Sequence, residues 1–560
     1  MILWHIYPIR CILVSQIIYS NFSSGILRLA DHTTHKKTIA KSAGMVSIAL
    51  MCSRVLGLVR EQVFAGLFGA GFTYDSFVVA FRIPNLLRDL FGEGALSAAF
   101  VTVFSAYDTN RPQIDTWKLA SNVLTFILVL LSILTLTGIY FADSIVNLLA
   151  SDFQTIPGKT ELTIQLTRIM MPFLIFVSLS AVVMGILNTK GRFFIPALAS
   201  SFFNIGSLVG GTSLAFILPH YGQPAIVGMA IGTLIGGALQ LVGQIPSLFR
   251  TGFRYKPVLK MNDPGLRRIL KLMIPATIGL SATQINLFVN TNFAASCGDG
   301  AVSWLYYAFR LVQLPIGVFG VALSIAMLPV LAKQAAQKKI TEMKETMVTS
   351  LTMVFALTLP ATAGLIILSE PIIRLIFEHG AFTAKDTFAT AQTLSFFSIG
   401  LFAYSANKIL VPAFYALNKT QFPVIASFMA VIFNIIIVKL TIDQYQHLAI
   451  AFSTSCTMLL NFIFLMIVLY RSMNGFSISY LVKGLFKILS ATAALIVFLL
   501  VCSPFFISWF NGNILQQSIA LFILISGATG LYTLILMTLK LEELESFTDK
   551  IKTRLLKRNP

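Results

Sequence analysis

Ser53 to Ser97 reads SRVLGLVREQVFAGLFGAGFTYDSFVVAFRIPNLLRDLFGEGALS: two apolar helical segments joined by the turn Gly69-Ala70-Gly71. Both segments are long enough to cross a bilayer. Yet the stretch carries Arg54, Arg60, Glu61, Asp75, Arg82, Arg88, Asp89 and Glu93. A charged side chain at mid-bilayer costs about 2.5–3.5 kcal/mol on insertion scales, so charges kept there need water or a partner and mark a functional site.

The rest of the chain shows that these segments are membrane spans. Of its 560 residues, 56% are hydrophobic and 11% charged, against about 25% charged in soluble domains. Between residues 38 and 539, about fourteen apolar runs recur, each able to cross a ~30 Å hydrocarbon layer. Backbone hydrogen-bonding demands in lipid make runs of this length helical. The expected fold is therefore an all-α polytopic membrane protein. The net charge of +19 is that of cation-rich cytoplasmic loops and does not call for nucleic acid as a partner.

Loop charges set the orientation. One set of connections holds Lys190 and Arg192, then Arg250, Arg254, Lys256, Lys260, Arg267, Arg268 and Lys271, then Lys333, Lys338, Lys339 and Lys344. The alternating connections hold almost no cations, apart from Arg374 and Lys385, which are offset by Glu370, Glu378 and Asp386. The positive-inside rule then places both termini in the cytoplasm, consistent with an even number of spans.

Internal matches give the organisation. Ala80-Phe81-Arg82 recurs as Ala308-Phe309-Arg310, and Phe91-Gly92 as Phe319-Gly320. Leu187-Asn188 and Phe203-Asn204-Ile205 recur as Leu417-Asn418 and Phe433-Asn434-Ile435. Six spans repeat as six, in the same orientation, and transporters built from parallel repeats bind substrate between the halves. The expected division is 1–36, an amphipathic or poorly ordered extension; 37–250, the first lobe; 251–264, a basic linker; 265–472, the second lobe; 473–540, two added helices; and 541–560, a basic tail.

No nucleotide-binding loop, zinc-protease or nucleophile-elbow pattern is present, and the six His are dispersed. The five cysteines, Cys11, Cys52, Cys297, Cys456 and Cys502, have no paired spacing that suggests a disulfide framework or a metal site. The reading is a transporter without enzymatic chemistry or resident cofactor, driven by an ion gradient such as sodium, by membrane potential or by a partner.

The intramembrane charges remain as candidate site residues. Asp75, Arg82 and Asp89 fall at i, i+7 and i+14, with Glu93 one turn beyond. They fit a self-neutralising structural seam as well as a functional stripe, and Pro84 bends the helix that carries them. Arg60 fits either a ligand site or a side chain that snorkels to the headgroups. Arg54 and Arg88 point to a water-filled cavity. Arginine forks suit phosphate, so this balance of charge favours an anionic, phosphorylated ligand over an organic cation.

These same residues carry a family resemblance. Ser53-Arg54-Val55-Leu56-Gly57 with Arg60, Gly69-Ala70-Gly71 with Asp75, Ala80 to Leu86 with Arg88, Glu93-Gly94-Ala95, Leu187-Asn188-Thr189, and Val302-Ser303-Trp304 through Arg310 resemble the lipid II flippase family called MurJ or MviN. That family lies within the multidrug, oligosaccharide-lipid and polysaccharide exporter superfamily. The resemblance covers nearly all of residues 37–540. It implies flipping of undecaprenyl-pyrophosphate-linked peptidoglycan precursor across the bacterial inner membrane by alternating access, with membrane lipids and cell-wall synthesis machinery as partners. It also implies that Arg54, Arg60, Asp75, Arg88 and Arg310 bind substrate; Arg82, Asp89 and Glu93 are read from their spacing as supporting cavity or structural charges. This chain has Phe309 and Gln313 where the family often has acids, which leaves Arg310 with fewer local partners. The rivals are a flippase for another lipid-linked oligosaccharide, a cation-coupled drug exporter of the same fold, and a membrane-embedded glycosyltransferase, which lacks the metal-binding loops it would need.

Overall fold

Helix follows helix through the computed structural model, which describes residues 33–92 and 94–543, and none of these lies in a strand. Twelve helices among the described residues are long and apolar enough to cross a membrane, or thirteen if the bent pair Ala384–Ile399 and Leu401–Ala416 is one span. The first span expected from sequence lies within helix Thr33–Phe68, which is not among those twelve. The extension before residue 33, Glu93 and the basic tail beyond residue 543 lie outside the described residues.

The chain divides into two compact units, Met1–Phe64 with Ser76–Gln284, and Ala65–Asp75 with Ile285–Pro560. The second change of unit falls inside helix Pro264–Ser296 and not in the basic linker. The first detaches the Gly69–Gly71 turn from its own hairpin.

In the first unit, Phe100, Phe104, Val182, Ile186, Phe253 and Leu266 lie in one buried apolar cluster. Helices Phe194–Ile217 and Ala225–Val242 meet through glycines. A Cβ on Gly206 would lie 2.8 Å from the Gly236 Cα, and one on Gly232 would strike the Gly211 backbone. Lipid offers no hydrophobic drive between helices, so such close backbone packing is a main source of their association. The basic linker runs along helix Gln113–Tyr140. There Asn122 donates to the Lys260 carbonyl at 3.0 Å and accepts from its N–H at 2.8 Å. One amide thereby imitates a strand partner for an extended segment with no sheet to join.

The second unit is built on Leu351, Phe355, Leu410, Phe414, Leu495 and Leu524. Leu495 and Leu524 belong to the two final spans, and the Tyr532 hydroxyl donates to the Ala356 carbonyl at 2.6 Å. The added helices are thus packed into this unit's core.

Two features occur in both units at repeat-related positions. Phe91-Gly92 and Phe319-Gly320 each sit in a π-helical turn, Arg88–Gly92 and Ile316–Val321. Asn204 and Asn434 are both buried. Asn204 donates to the Ser53 carbonyl at 3.0 Å, and Asn434 donates to Asn290 Oδ1 at 2.6 Å. Each asparagine ties its helix to the first long helix of its own half.

Adding bulk between two touching backbones costs about 1–3 kcal/mol or more. Gly232→Val is therefore expected to lower the melting temperature of the detergent-purified protein by several degrees. Gly279→Ala, where an added Cβ meets nothing within 4 Å, should leave it unchanged. Equal melting of the two variants would refute the packing role of the glycines.

Candidate functional site

In the first unit the helix Thr33–Phe68 sets its charges by the face it turns to helix Phe194–Ile217. Ser53 is held by Asn204, and a Cβ on Gly57 would lie 3.4 Å from the Asn204 Nδ2. Arg54, next in sequence to Ser53, turns about 100° round the helix and is exposed. It makes no hydrogen bond or ion pair with any described residue.

Arg60 behaves differently. Its side chain is 8% exposed and pairs with Glu61, Nη2 to Oε1, at 2.6 Å. Its guanidinium lies 5.6 Å from the Phe64 ring and 5.1 Å from the Phe203 ring. A buried pair of this kind gains little net stability over an apolar one, but leaving either partner alone costs several kcal/mol. Arg60 therefore does not snorkel. It is a neutralised charge between aromatic rings, and its Nε has no hydrogen-bond partner among the described residues.

Arg88 opens the π-helical turn that follows helix Phe72–Leu87, with Pro84 inside that helix. Proline removes a backbone donor and crowds the preceding turn, and π turns are frequent at functional sites. Arg88 donates from Nε and Nη2 to Asp89 Oδ1 at 3.1 and 2.8 Å. The other Asp89 oxygen accepts from Gln284 at 3.3 Å. The Arg88 and Asp89 side chains remain 27% and 36% exposed. Arg82 is half-buried.

In the second unit Asp75 is fully buried and caps a helix from far away in sequence. Its carboxylate accepts the Gly300 and Ser303 N–H groups, each at 2.8 Å, and the Ser303 hydroxyl. These donors open helix Ala301–Pro315, where Gly300 has φ 96°. The residues around Asp75 are anchored to the same unit. Tyr74 stacks on Tyr307 at 4.9 Å, the Tyr307 hydroxyl donates to the Gly69 carbonyl, and the Ala381 N–H donates to the Gly66 carbonyl at 2.8 Å. Gly69, at φ 64°, sits against the Ala381 carbonyl.

Asp75 and Asp89 therefore differ in their surroundings despite their i, i+14 spacing. One is a buried cap and the other pairs with its neighbour. Their directions are set by Pro84, the π turn and partners distant in sequence, not by a uniform helical repeat. Asp75 is not open to a ligand in this structure. Arg310 is half-buried, donates to the Tyr306 hydroxyl at 2.7 Å and lies 5.0 Å from that ring.

The structure groups Arg54, Arg60, Arg82, Arg88 and Asp89 in the first unit, and Asp75 and Arg310 in the second. Sequence reasoning missed the roles of Glu61 and Gln284. The first was readable from its adjacency to Arg60; the second, an uncharged residue 195 positions from Asp89, gave no signal.

Known proteins share this arrangement of sequence and fold. The family model described as "Lipid II flippase MurJ" matches residues 64–520. The chain belongs to the lipid II flippase MurJ family. Relatives named "Probable lipid II flippase MurJ" include one from Buchnera aphidicola subsp. Acyrthosiphon pisum, 35% identical over 89% of this chain and 97% of its own. Another, from Vibrio cholerae, is 33% identical over 92% and 99%. A solved structure described as "Lipid II flippase MurJ, inward closed conformation" superposes with TM-score 0.71 at 29% identity, covering 88% of this chain and 99% of its own. An inward-facing multidrug transporter of the MATE family, at 17% identity and TM-score 0.60 over 77% of this chain and 94% of its own, shares the fold.

Removing an N-cap acceptor costs about 0.5–2 kcal/mol. Asp75→Ala is expected to destabilise the purified protein by about that much or more, since it strands three buried donors. Thermal unfolding in detergent measures the effect, and an unchanged melting temperature would show that the cap carries no stability.

Proposed function

We propose that this chain translocates lipid II, the undecaprenyl-pyrophosphate-linked peptidoglycan precursor, from the inner to the outer leaflet of the bacterial cytoplasmic membrane. One observation carries the assignment of residues. Among the intramembrane arginines of the first unit, Arg54 is exposed and has no ionic partner among the described residues. Arg60 is neutralised by Glu61 and Arg88 is shared with Asp89. A diphosphate is the natural counter-charge for Arg54, with Arg88 as its second contact, because guanidinium forks match phosphate oxygens. Arg60 and Glu61 position the helix that presents Arg54. Arg310, propped on Tyr306, is the second unit's own substrate contact, and the polyprenyl tail remains in the acyl-chain region throughout.

The process is transport: the lipid-linked substrate leaves chemically unchanged, with no resident cofactor. Both termini face the cytoplasm, as the loop charges require. Membrane potential supplies about 2.3 kcal/mol per charge per 100 mV, and a sodium gradient is the other available drive. Cell-wall synthesis enzymes would consume the delivered precursor.

Complementation in cells depleted of their lipid II flippase tests the reading. The unmodified chain should restore growth. Arg54→Ala and Arg88→Ala should fail to do so while reaching the membrane at unmodified levels. Full growth with both variants would overturn the headgroup assignment.

A further inference from the structure

Within the second unit, Lys408 lies on helix Leu401–Ala416, eight residues before its end and 24 after the start of the bent pair at Ala384. At 1.5 Å per residue its Cα is about 12 Å from the cytoplasmic end of that helix, further than a lysine stem of roughly 6 Å reaches by snorkelling. Its side chain is exposed, has no ion pair among the described residues, and holds its ammonium 5.3 Å from the Tyr404 ring.

Leu401, Ala403, Ser405, Ala406, Ile409, Leu410, Ala413 and Phe414 are buried and Val411 packs against the core, leaving Tyr404, Lys408 and Tyr415 on the open side at i, i+4 and i+11. The neighbouring helix Gln421–Tyr445 turns Ile432, Phe433, Ile436 and Leu440 outward instead. That stripe holds one exposed lysine, Lys439, among aliphatic and aromatic side chains, whereas Lys408 stands between two tyrosines. Lys408 also repeats the construction at Arg310, a cation lying over the ring of the tyrosine four residues earlier.

The two cations stand at different depths of the same unit. Gly320 touches Ser405, where an added Cβ would lie 3.1 Å from the Ser405 Cα. The two spans run in the same direction, being separated by one returning span. Arg310 precedes the contact by ten residues and Lys408 follows it by three, which puts them roughly 20 Å apart along the membrane normal.

Resting on the flippase reading above, we propose that Lys408 with Tyr404 is a second anion-binding station of the second unit. It takes the phosphates of the lipid-linked saccharide on the cytoplasmic side of Arg310, so that the headgroup is passed between cations and never strands a charge in a dry stretch. The aromatic face of Tyr404 suits the adjoining sugar, and its ring holds the ammonium in place when no phosphate is bound.

The test is lipid II transport by the full chain in proteoliposomes. Lys408→Met is expected to lower the rate about fivefold or more with an unchanged melting temperature, and Lys408→Arg to recover most of it. Lys408→Cys should be equally slow. It should regain rate when a water-soluble aminoethyl methanethiosulfonate restores the cation, but not with the sulfonatoethyl reagent, each compared with the unmodified chain treated identically. Full rate in Lys408→Met would overturn the station. So would a thiol in Lys408→Cys that is inert to both reagents because it faces acyl chains. The parent reading fails separately: Arg54→Ala at full rate removes the headgroup assignment whatever Lys408 does.

Discussion

A charge at bilayer depth has to be paired, hydrogen-bonded or wet, because the low-dielectric surroundings make any other state cost several kcal/mol. That constraint sorts the charged side chains of this chain more sharply than their positions in sequence do. Asp75 is satisfied by three donors at a helix start. Arg60 is satisfied by Glu61 and two aromatic rings. Arg88 shares Asp89 with Gln284 as its far support. Arg54 and Lys408 have no such carboxylate among the described residues, so water or an anion must do the work.

The same constraint links the charges to the backbone. A carboxylate can cap a helix more than two hundred residues away only if its own turn is brought close and held. The positive φ of Gly69 and the contact of Gly66 with Gly380 and Ala381 do this for Asp75. In the first unit the π turn after Pro84 re-aims Arg88 and Asp89 away from the line that a regular helix would give them. Local backbone irregularities thus decide which charges neutralise one another and which stay available to a ligand.

Much of this was legible in the sequence. Long apolar runs declare helices because lipid leaves the backbone no other way to bond, and charges inside such runs declare a site. The matched Phe-Gly and Phe-Asn-Ile segments lead to π turns and buried asparagines that recur in both units. What could not be read is partnership across distance. Nothing in the spacing of Asp75 names Gly300 and Ser303, and Gln284 carries no charge to betray its contact with Asp89. Lys408 escaped notice for the opposite reason. In a run closing on Lys419 it passes for one more interfacial cation, and only the burial of its neighbours shows that it stands apart.

The distribution of neutralised and open charges also explains why the chemistry favours an anion. Had every arginine been paired as Arg60 is, the unit surfaces would be electrically quiet and an incoming diphosphate would gain little. Had none been paired, the array would repel itself and demand water at every position. The chain takes an intermediate course. Paired charges such as Arg60 with Glu61 are kept among apolar side chains at small net stability, and a few cations are left whose desolvation would be offset when a phosphate arrives. On the proposed reading, a guanidinium or ammonium in this state would bind the charged headgroup while offering nothing to the polyprenyl tail. That difference would let one molecule be gripped at its polar end and slide at its apolar end.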